Sequence, residues 1–318
     1  MLDLALLGSG GSMPMPDRFL SSLLIRYNGR KILIDCGEGT QVAMRILKWG
    51  FKSIDIICIT HKHGDHILGL PGLLATIGNS GRTEPILIIG PNGIAKIIEG
   101  LILSLSYLPY DIKLMEVSNS STRVNFFQEG VEIEEVYNNY SSNGDLIIST
   151  LELDHSAPCI GYSLYIPRSP KFNPEKATYY NIPKNLWKNL QRGETVTYEG
   201  NIIEPHMVLE GSRKGIKLSY ITDTRPIRAI PDFIKESDLF ICEGTYGDSE
   251  DIGKAIENKH MTFSEAAQLA YEGKVRELLL THFSPAMEEP QGYIENAAKI
   301  FPNTIIGCDG YIKTLTYS

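Results

Sequence analysis

No run of about 18 apolar residues occurs anywhere in the 318-residue chain, so nothing in it has the length of a membrane-spanning helix. The start, MLDLALLGSGG, lacks the basic segment and small-residue cleavage site of a secretory signal, which makes a cytoplasmic protein with no membrane partner the expectation. Cysteine is scarce. Cys36, Cys58, Cys159, Cys242 and Cys308 are odd in number, widely spaced and form no CxxC pair, which argues against both a disulfide framework and a thiolate zinc site. Most of them read as small buried hydrophobes. Surplus positive charge is also missing: 30 Lys and Arg stand against 38 Asp and Glu, so any RNA contact has to be local rather than a property of the whole surface. No GxSxG motif offers a serine nucleophile. The GSGG at residues 8–11 is not followed by GK[ST] and reads as a tight strand-to-loop turn.

What is present alternates strand and helix signals. DLALLG, SSLLIRY and RKILIDC are short strands, the last two joined by Asn28-Gly29, a tight-hairpin signal. TQVAMRILKWG has helical spacing, IDIICIT is an apolar strand, and HILGLPGLLATIG is helical again with an interruption at Pro71. PILIIGP, the helical IAKIIEGLILSLSYL and IKLMEV continue the rhythm; short strands with a turn at Asn143-Gly144 follow, and strand and helix signals alternate again from residue 215. Between them, residues 166–193 lose apolar periodicity, carry three prolines before residue 175, and hold six Lys or Arg against one acidic residue, Glu175. This stretch reads as a basic insertion projecting from the main domain.

The chemistry is concentrated where IDIICIT ends. In His61-Lys62-His63-Gly64-Asp65-His66, three imidazoles and a carboxylate fall within six residues at a strand end. Unpaired polar groups gathered there would cost stability, so cation binding explains them better than a histidine-rich polar loop does. His155 in STLELDHS, Asp223 in KLSYITDTR and His282 in RELLLTHFS also follow strand-like runs, placing three further candidate ligands on one sheet edge, whereas His206 looks incidental.

THKHGDH, with the later LDHS, TDTR and LLTH, resembles the HxHxDH signature and following motifs of the metallo-β-lactamase superfamily, and THKHGDHILGLPGLL is similar to the ribonuclease Z family. That resemblance implies an α/β (α+β) fold, a four-layer αββα sandwich forming a single domain over residues 1–318, with a small flexible arm inserted at 166–207. It implies two Zn²⁺ per subunit, with Mn²⁺ or Fe²⁺ as substitutes: one held by His61, His63 and His155, one by Asp65, His66 and His282, and Asp223 bridging both. Asp35 in LIDCGEGT matches a supporting position and reads equally well as a turn cap. ICEGT and KHMT are similar to the family's HEAT and HST stretches, which makes His260, oriented by Glu243, the general acid and gives Asp65 a part in steering the nucleophile. A helix cap is the other reading of His260.

The implied reaction is endonucleolytic removal of the 3′ trailer from transfer-RNA precursors, with two metals clamping the attacking and leaving oxygens and supplying hydroxide near neutral pH. The arm of such proteins grips transfer RNA across a homodimer, and Arg18, Lys184, Lys188 and Arg192 are the expected substrate contacts. Two departures stand out. Asn185-Leu186 replaces the arm's usual Gly-Pro, and Pro16 and Phe19 replace Lys and Asn of a PxKxRN loop. A phosphodiesterase of small or cyclic nucleotides is therefore the second expectation, and a noncatalytic RNA-binding protein the third.

Overall fold

Alternation along the strands decides the architecture. In β1 (Leu2–Gly8), Leu2, Leu4 and Leu6 pack into one apolar cluster and Ala5 and Leu7 into another, all of them buried. A strand buried on both faces belongs in the middle of a layered molecule. The computed structural model, which describes residues 1–136, 145–211 and 213–317, has that form.

β2 (Ser22–Tyr27), β3 (Arg30–Ile34), β4 (Ile54–Cys58), β5 (Ile86–Pro91) and β6 (Ile112–Val117) extend the first sheet from β1 in sequence order. β7 (Ser121–Phe127), β8 (Gly130–Glu135), β9 (Leu146–Glu152) and β10 (Ile160–Arg168) begin the second. Four short strands, β11 (Lys171–Phe172), β12 (Val196–Tyr198), β13 (Asn201–Ile203) and β14 (Leu209–Glu210), pair outside both sheets. The second sheet is then completed by β15 (Arg213–Ile221), β16 (Leu239–Glu243), β17 (Leu278–Thr281) and β18 (Thr304–Ile306), in the order β18-β17-β16-β15-β10-β9-β7-β8. β19 (Ile312–Leu315) returns to the first sheet and pairs with β1.

The two sheets face each other across a core that includes Leu4, Ile56, Tyr162, Leu218 and Ile241. Outside the first sheet, α1 (Thr40–Leu47), the short α2 (Gly64–Ile67), α3 (Leu70–Asn79) and α4 (Ile94–Ile102) bury Met44, Ile67, Leu73 and Ile98 in a second cluster. Within the segment between β10 and β15 lie α5 (Pro174–Tyr179) and α6 (Trp187–Gln191). Outside the second sheet, α7 (Ile230–Phe233), α9 (Phe263–Glu272) and α10 (Ile294–Ala298) bury Ile230, Phe263, Ala267 and Ala297, while α8 (Ile252–Asn258) precedes α9 in the chain. The layers run helix, sheet, sheet, helix, as the resemblance implied.

Local differences from the sequence reading have physical causes. The run around Pro71 is two helices, because proline sits in the first turn of α3, where no N–H partner is needed. The run beginning at Ile94 stops at Ile102, and the Ser104 hydroxyl bonds back to the Leu101 carbonyl, the local side-chain bonding that competes with helix continuation. Asn28 and Gly29 both take positive φ, 48° and 79°, which the β2–β3 turn requires. The Asn143-Gly144 turn signal lies outside the described residues. In the segment between β10 and β15, Ala177, Ile182, Leu190, Ile203 and Val208 form a small core of their own, closed by a Trp187 Nε1 bond to the Ile182 carbonyl. Its elements are too short for periodicity to show in sequence. Among the described residues no helix is long and apolar enough to cross a membrane.

Candidate metal centre

The candidate ligands, with Asp35 and Glu243, gather at or beyond strand ends on one edge of the sandwich. β3 and β4 run parallel, as do β15, β16 and β17, so their C-terminal ends share that edge. Asp35 follows β3, His61 follows β4, His155 follows β9, Asp223 follows β15, Glu243 ends β16 and His282 follows β17. The sheets are tied together there by the Ile160 N–H on the Thr60 carbonyl and the Tyr162 hydroxyl on the Ile59 carbonyl. Asp35, Asp223 and His282 all adopt left-handed backbone, φ 58°, 49° and 58°. Such conformations strain residues other than glycine and collect at functional sites.

The side chains form two groups sharing one carboxylate. His63 Nδ1 lies 3.0 Å from His61 Nε2 and 3.2 Å from His155 Nε2, and Asp223 Oδ2 is 3.5 and 3.8 Å from the latter two nitrogens. On the other side His282 Nε2 is 3.3 Å from both His66 Nε2 and Asp65 Oδ2, and Asp223 Oδ1 is 3.5 and 3.2 Å from His66 and His282. A tetrahedral zinc with bonds of 2.0–2.1 Å separates its ligands by about 3.3 Å, so both groups have the spacing of a cation's ligand shell. The seven predicted ligands are therefore brought together, and the two oxygens of Asp223 face different groups.

Neighbouring residues fix which nitrogen four of the five imidazoles turn inward. The Thr60 hydroxyl donates to Asp35 and accepts from His61 Nδ1 at 3.1 Å; the Thr245 hydroxyl donates to Glu243 and accepts from His282 Nδ1 at 3.1 Å. His66 Nδ1 donates to Asp35 Oδ2 at 2.7 Å, and His155 Nδ1 faces the Lys259 carbonyl. With Nδ1 carrying the proton, Nε2 of His61, His66, His155 and His282 is the atom turned inward, the outer-shell arrangement typical of metal-binding histidines, whereas His63 turns its Nδ1 inward. Asp35 thus supports the site through Thr60 and His66. Thr60 and Thr245 are the functional residues that sequence reading missed; threonine is too common for its type alone to give a signal, though Thr245 stands in the quoted ICEGT stretch.

The electrostatics agree with this division. Burial, together with the neighbouring imidazoles, holds the His61 pKa well below its ordinary value, so that ring stays neutral. Burial alone would raise Asp65 and Asp223, but the surrounding histidines outweigh it and keep both carboxyls low. For His66 burial pulls down, yet Asp223 and Asp35 hold it well above the ordinary value, so a cation would have to displace a proton there.

Glu243 and His260 stand beside the ligands. The fully buried Glu243 accepts from the Thr224 and Met261 amides at 2.7 and 3.0 Å, the Thr245 hydroxyl at 2.6 Å and His260 Nδ1 at 3.1 Å. Those donors saturate its oxygens and leave it unfit as a third metal ligand with His260 and His282. His260 keeps Nε2 available, its ring centroid 5.4 Å from those of His155 and His282. Burial lowers the His260 pKa, but the Glu243 charge and hydrogen bond win and push it up to about 9. His260 does not cap α9: that is done by Thr262 in a capping box with Glu265. A cavity of about 340 Å³, lined among others by His63, Asp65, Tyr246, His260 and Ser284, opens onto these groups.

The expected substrate contacts lie elsewhere. Arg18 donates to the Met287 and Glu288 carbonyls, with its guanidinium over the Phe283 ring. Lys184, near the Trp187 ring, Lys188 and Arg192 are exposed in the segment between β10 and β15. His206 pairs with Glu204 at the surface of that segment, away from the ligands.

Ribonuclease Z from Alkaliphilus oremlandii is 57% identical over 317 residues, covering 100% of this chain and 99% of the relative. The chain belongs to the ribonuclease Z family. As a ribonuclease Z family member it is a metal-dependent endoribonuclease. The family model of Anti-Pycsar protein Apyc1 also matches residues 2–167, so the chain belongs to that family through the half carrying His61, His63, Asp65, His66 and His155. Two solved structures show the fold: human tRNase Z, short form, at 24% identity, 99% coverage of each chain and a TM-score of 0.66, and the metallo-beta-lactamase fold protein YhfI from Bacillus subtilis, at 17%, 98% of each chain and 0.66.

Proposed function

We propose that this ribonuclease Z removes the 3′ trailer from transfer-RNA precursors in a single endonucleolytic cut, using two zinc ions held as the sequence implied. The observation that supports the metal assignment is Asp223, whose two oxygens face separate three-residue groups, the disposition a bridging carboxylate needs. Zinc ions bound there would lower the pKa of water and neutralise charge on the phosphate. The chain's own contribution is placement. Asp65, with its Oδ2 held by the Ser12 amide at 2.7 Å, steers the attacking oxygen. His260, kept protonated by Glu243, gives its Nε2 proton to the departing ribose oxygen.

Residues 166–207 form the arm of an otherwise single domain, and exposed Lys184, Lys188 and Arg192 provide its phosphate contacts; the arm's separate small core supports this division. Arg18 serves at the acceptor end. A cytoplasmic location fits five free cysteines. The homodimer that such an arm requires has apolar surface available at exposed Val42 and Ile46 of α1.

The test is to incubate metal-loaded protein with a trailer-bearing precursor and map the ends, with bis(p-nitrophenyl) phosphate run beside it. One cut near the discriminator nucleotide is expected. An intact precursor with a hydrolysed small diester would replace the transfer-RNA reading with that of a small-nucleotide phosphodiesterase.

A further inference from the structure

The loop between β1 and β2 touches the ligand groups directly, and a single carboxylate far along the chain closes its neck. Asp309, in the turn between β18 and β19, accepts from the Ser9 amide at 2.8 Å and the Ser9 hydroxyl at 2.7 Å through Oδ1, and from the Phe19 amide at 2.6 Å through Oδ2. The Gly10 amide bonds the Phe19 carbonyl, and Gly11 and Ser9 bond Phe283, the residue after His282. So fixed, the loop delivers two contacts. The Ser12 amide donates to Asp65 Oδ2, the oxygen that also faces His66 and His282. Gly11 lies so close to the His282 ring that a Cβ there would come within 2.4 Å of it.

We propose that Asp309 is a positioning residue for one half of the metal centre: by clasping both ends of the loop over residues 9–19, it aims the Asp65 carboxylate and the His282 imidazole. The inference rests on the reading of Asp65, His66, Asp223 and His282 as one metal site. It separates the two sites, because the loop's contacts through Ser12 and Gly11 fall on Asp65 and His282, in the group apart from His61, His63 and His155. Groups that orient ligands from outside the metal's own shell change affinity by about 10–100-fold when removed.

Asp309→Asn tests it, since the amide keeps one acceptor but meets the Phe19 N–H with its own donor. Zinc affinities are measured by competition with a chromophoric chelator, and exchange of the Ser12 amide is followed in metal-free protein. The expected result is one site unchanged, the other weakened by about 10–100-fold, and faster Ser12 exchange. Gly11→Ala should weaken the same site by displacing the His282 ring while leaving the Ser9 and Phe19 amides protected. Ser12→Gly, which keeps the amide and suits the φ of 67°, should change neither affinity. Unaltered Ser12 exchange in Asp309→Asn overturns the clasp, and equal weakening of both sites overturns the selectivity. A wild-type protein that binds no zinc yet protects Ser12 overturns the metal reading itself.

Discussion

At the scale of single residues, Glu243 and His260 carry the sharpest consequences. His260 has a pKa pushed up to about 9, above the ordinary imidazole value, so its proton is present through neutral pH and is lost as pH rises through the raised value. Cations bound nearby would bring that value down, which puts the alkaline fall in kcat/KM of the loaded enzyme below pH 9. Glu243→Gln removes the charge that raises it and should move the fall further toward neutral pH, read from a pH–rate profile. His260→Ala should lower kcat on the precursor by about 10²–10⁴-fold with metal content intact, since a general acid contributes on that order. Wild-type kcat in that variant would assign the proton donor elsewhere. The five histidines among the seven proposed ligands drew notice in sequence because histidine is rare and six of its seven positions follow strand signals or stand beside other polar groups, while the full set, with Asp65 and Asp223, came from the resemblance to the family's motifs. Thr60 and Thr245 were not: each works through a hydroxyl that accepts from one imidazole while donating to a carboxylate, a relation set by how separate strands align.

At the scale of elements, sequence patterns held where segments were long or bounded by strong turn chemistry and weakened where they were short. β1 through β5 and the Asn28-Gly29 hairpin appear where the alternation and the turn signal place them. The segment between β10 and β15 read as featureless and basic, yet it closes a small core around Leu190, because helices of five or six residues show less than two turns of pattern. Its exposed cations follow a different logic from the metal edge. Replacing Lys184, Lys188 and Arg192 together by alanine should raise KM for the precursor and flatten its salt dependence, because each lost phosphate contact removes about one unit of slope. Hydrolysis of bis(p-nitrophenyl) phosphate, which is too small to reach the arm, should stay unchanged; a parallel loss there would mean the substitutions had damaged the fold.

For the whole molecule, the ligand set divides between layers: His61, His63, Asp65 and His66 come from the first-sheet half, and His155, Asp223 and His282 from the second. Any cation bound to them joins the sheets. Chelation should therefore lower the melting temperature by several degrees, and zinc at about 100 times its Kd should restore about 2.7 kcal/mol. Scanning calorimetry with and without chelator checks this; identical transitions would deny the cross-link. The layered architecture came from the family resemblance, the strand and helix signals being enough only for sheets with helices, and the strand order within each sheet depended on contacts between distant segments that periodicity does not encode. β19 is the clearest instance, since it pairs with β1 from the opposite end of the chain. Synthesis from the amino terminus thus leaves the β1 border of the first sheet unpaired until Ile312–Leu315 has been made, and the Asp309 clasp on Ser9 and Phe19 waits nearly as long.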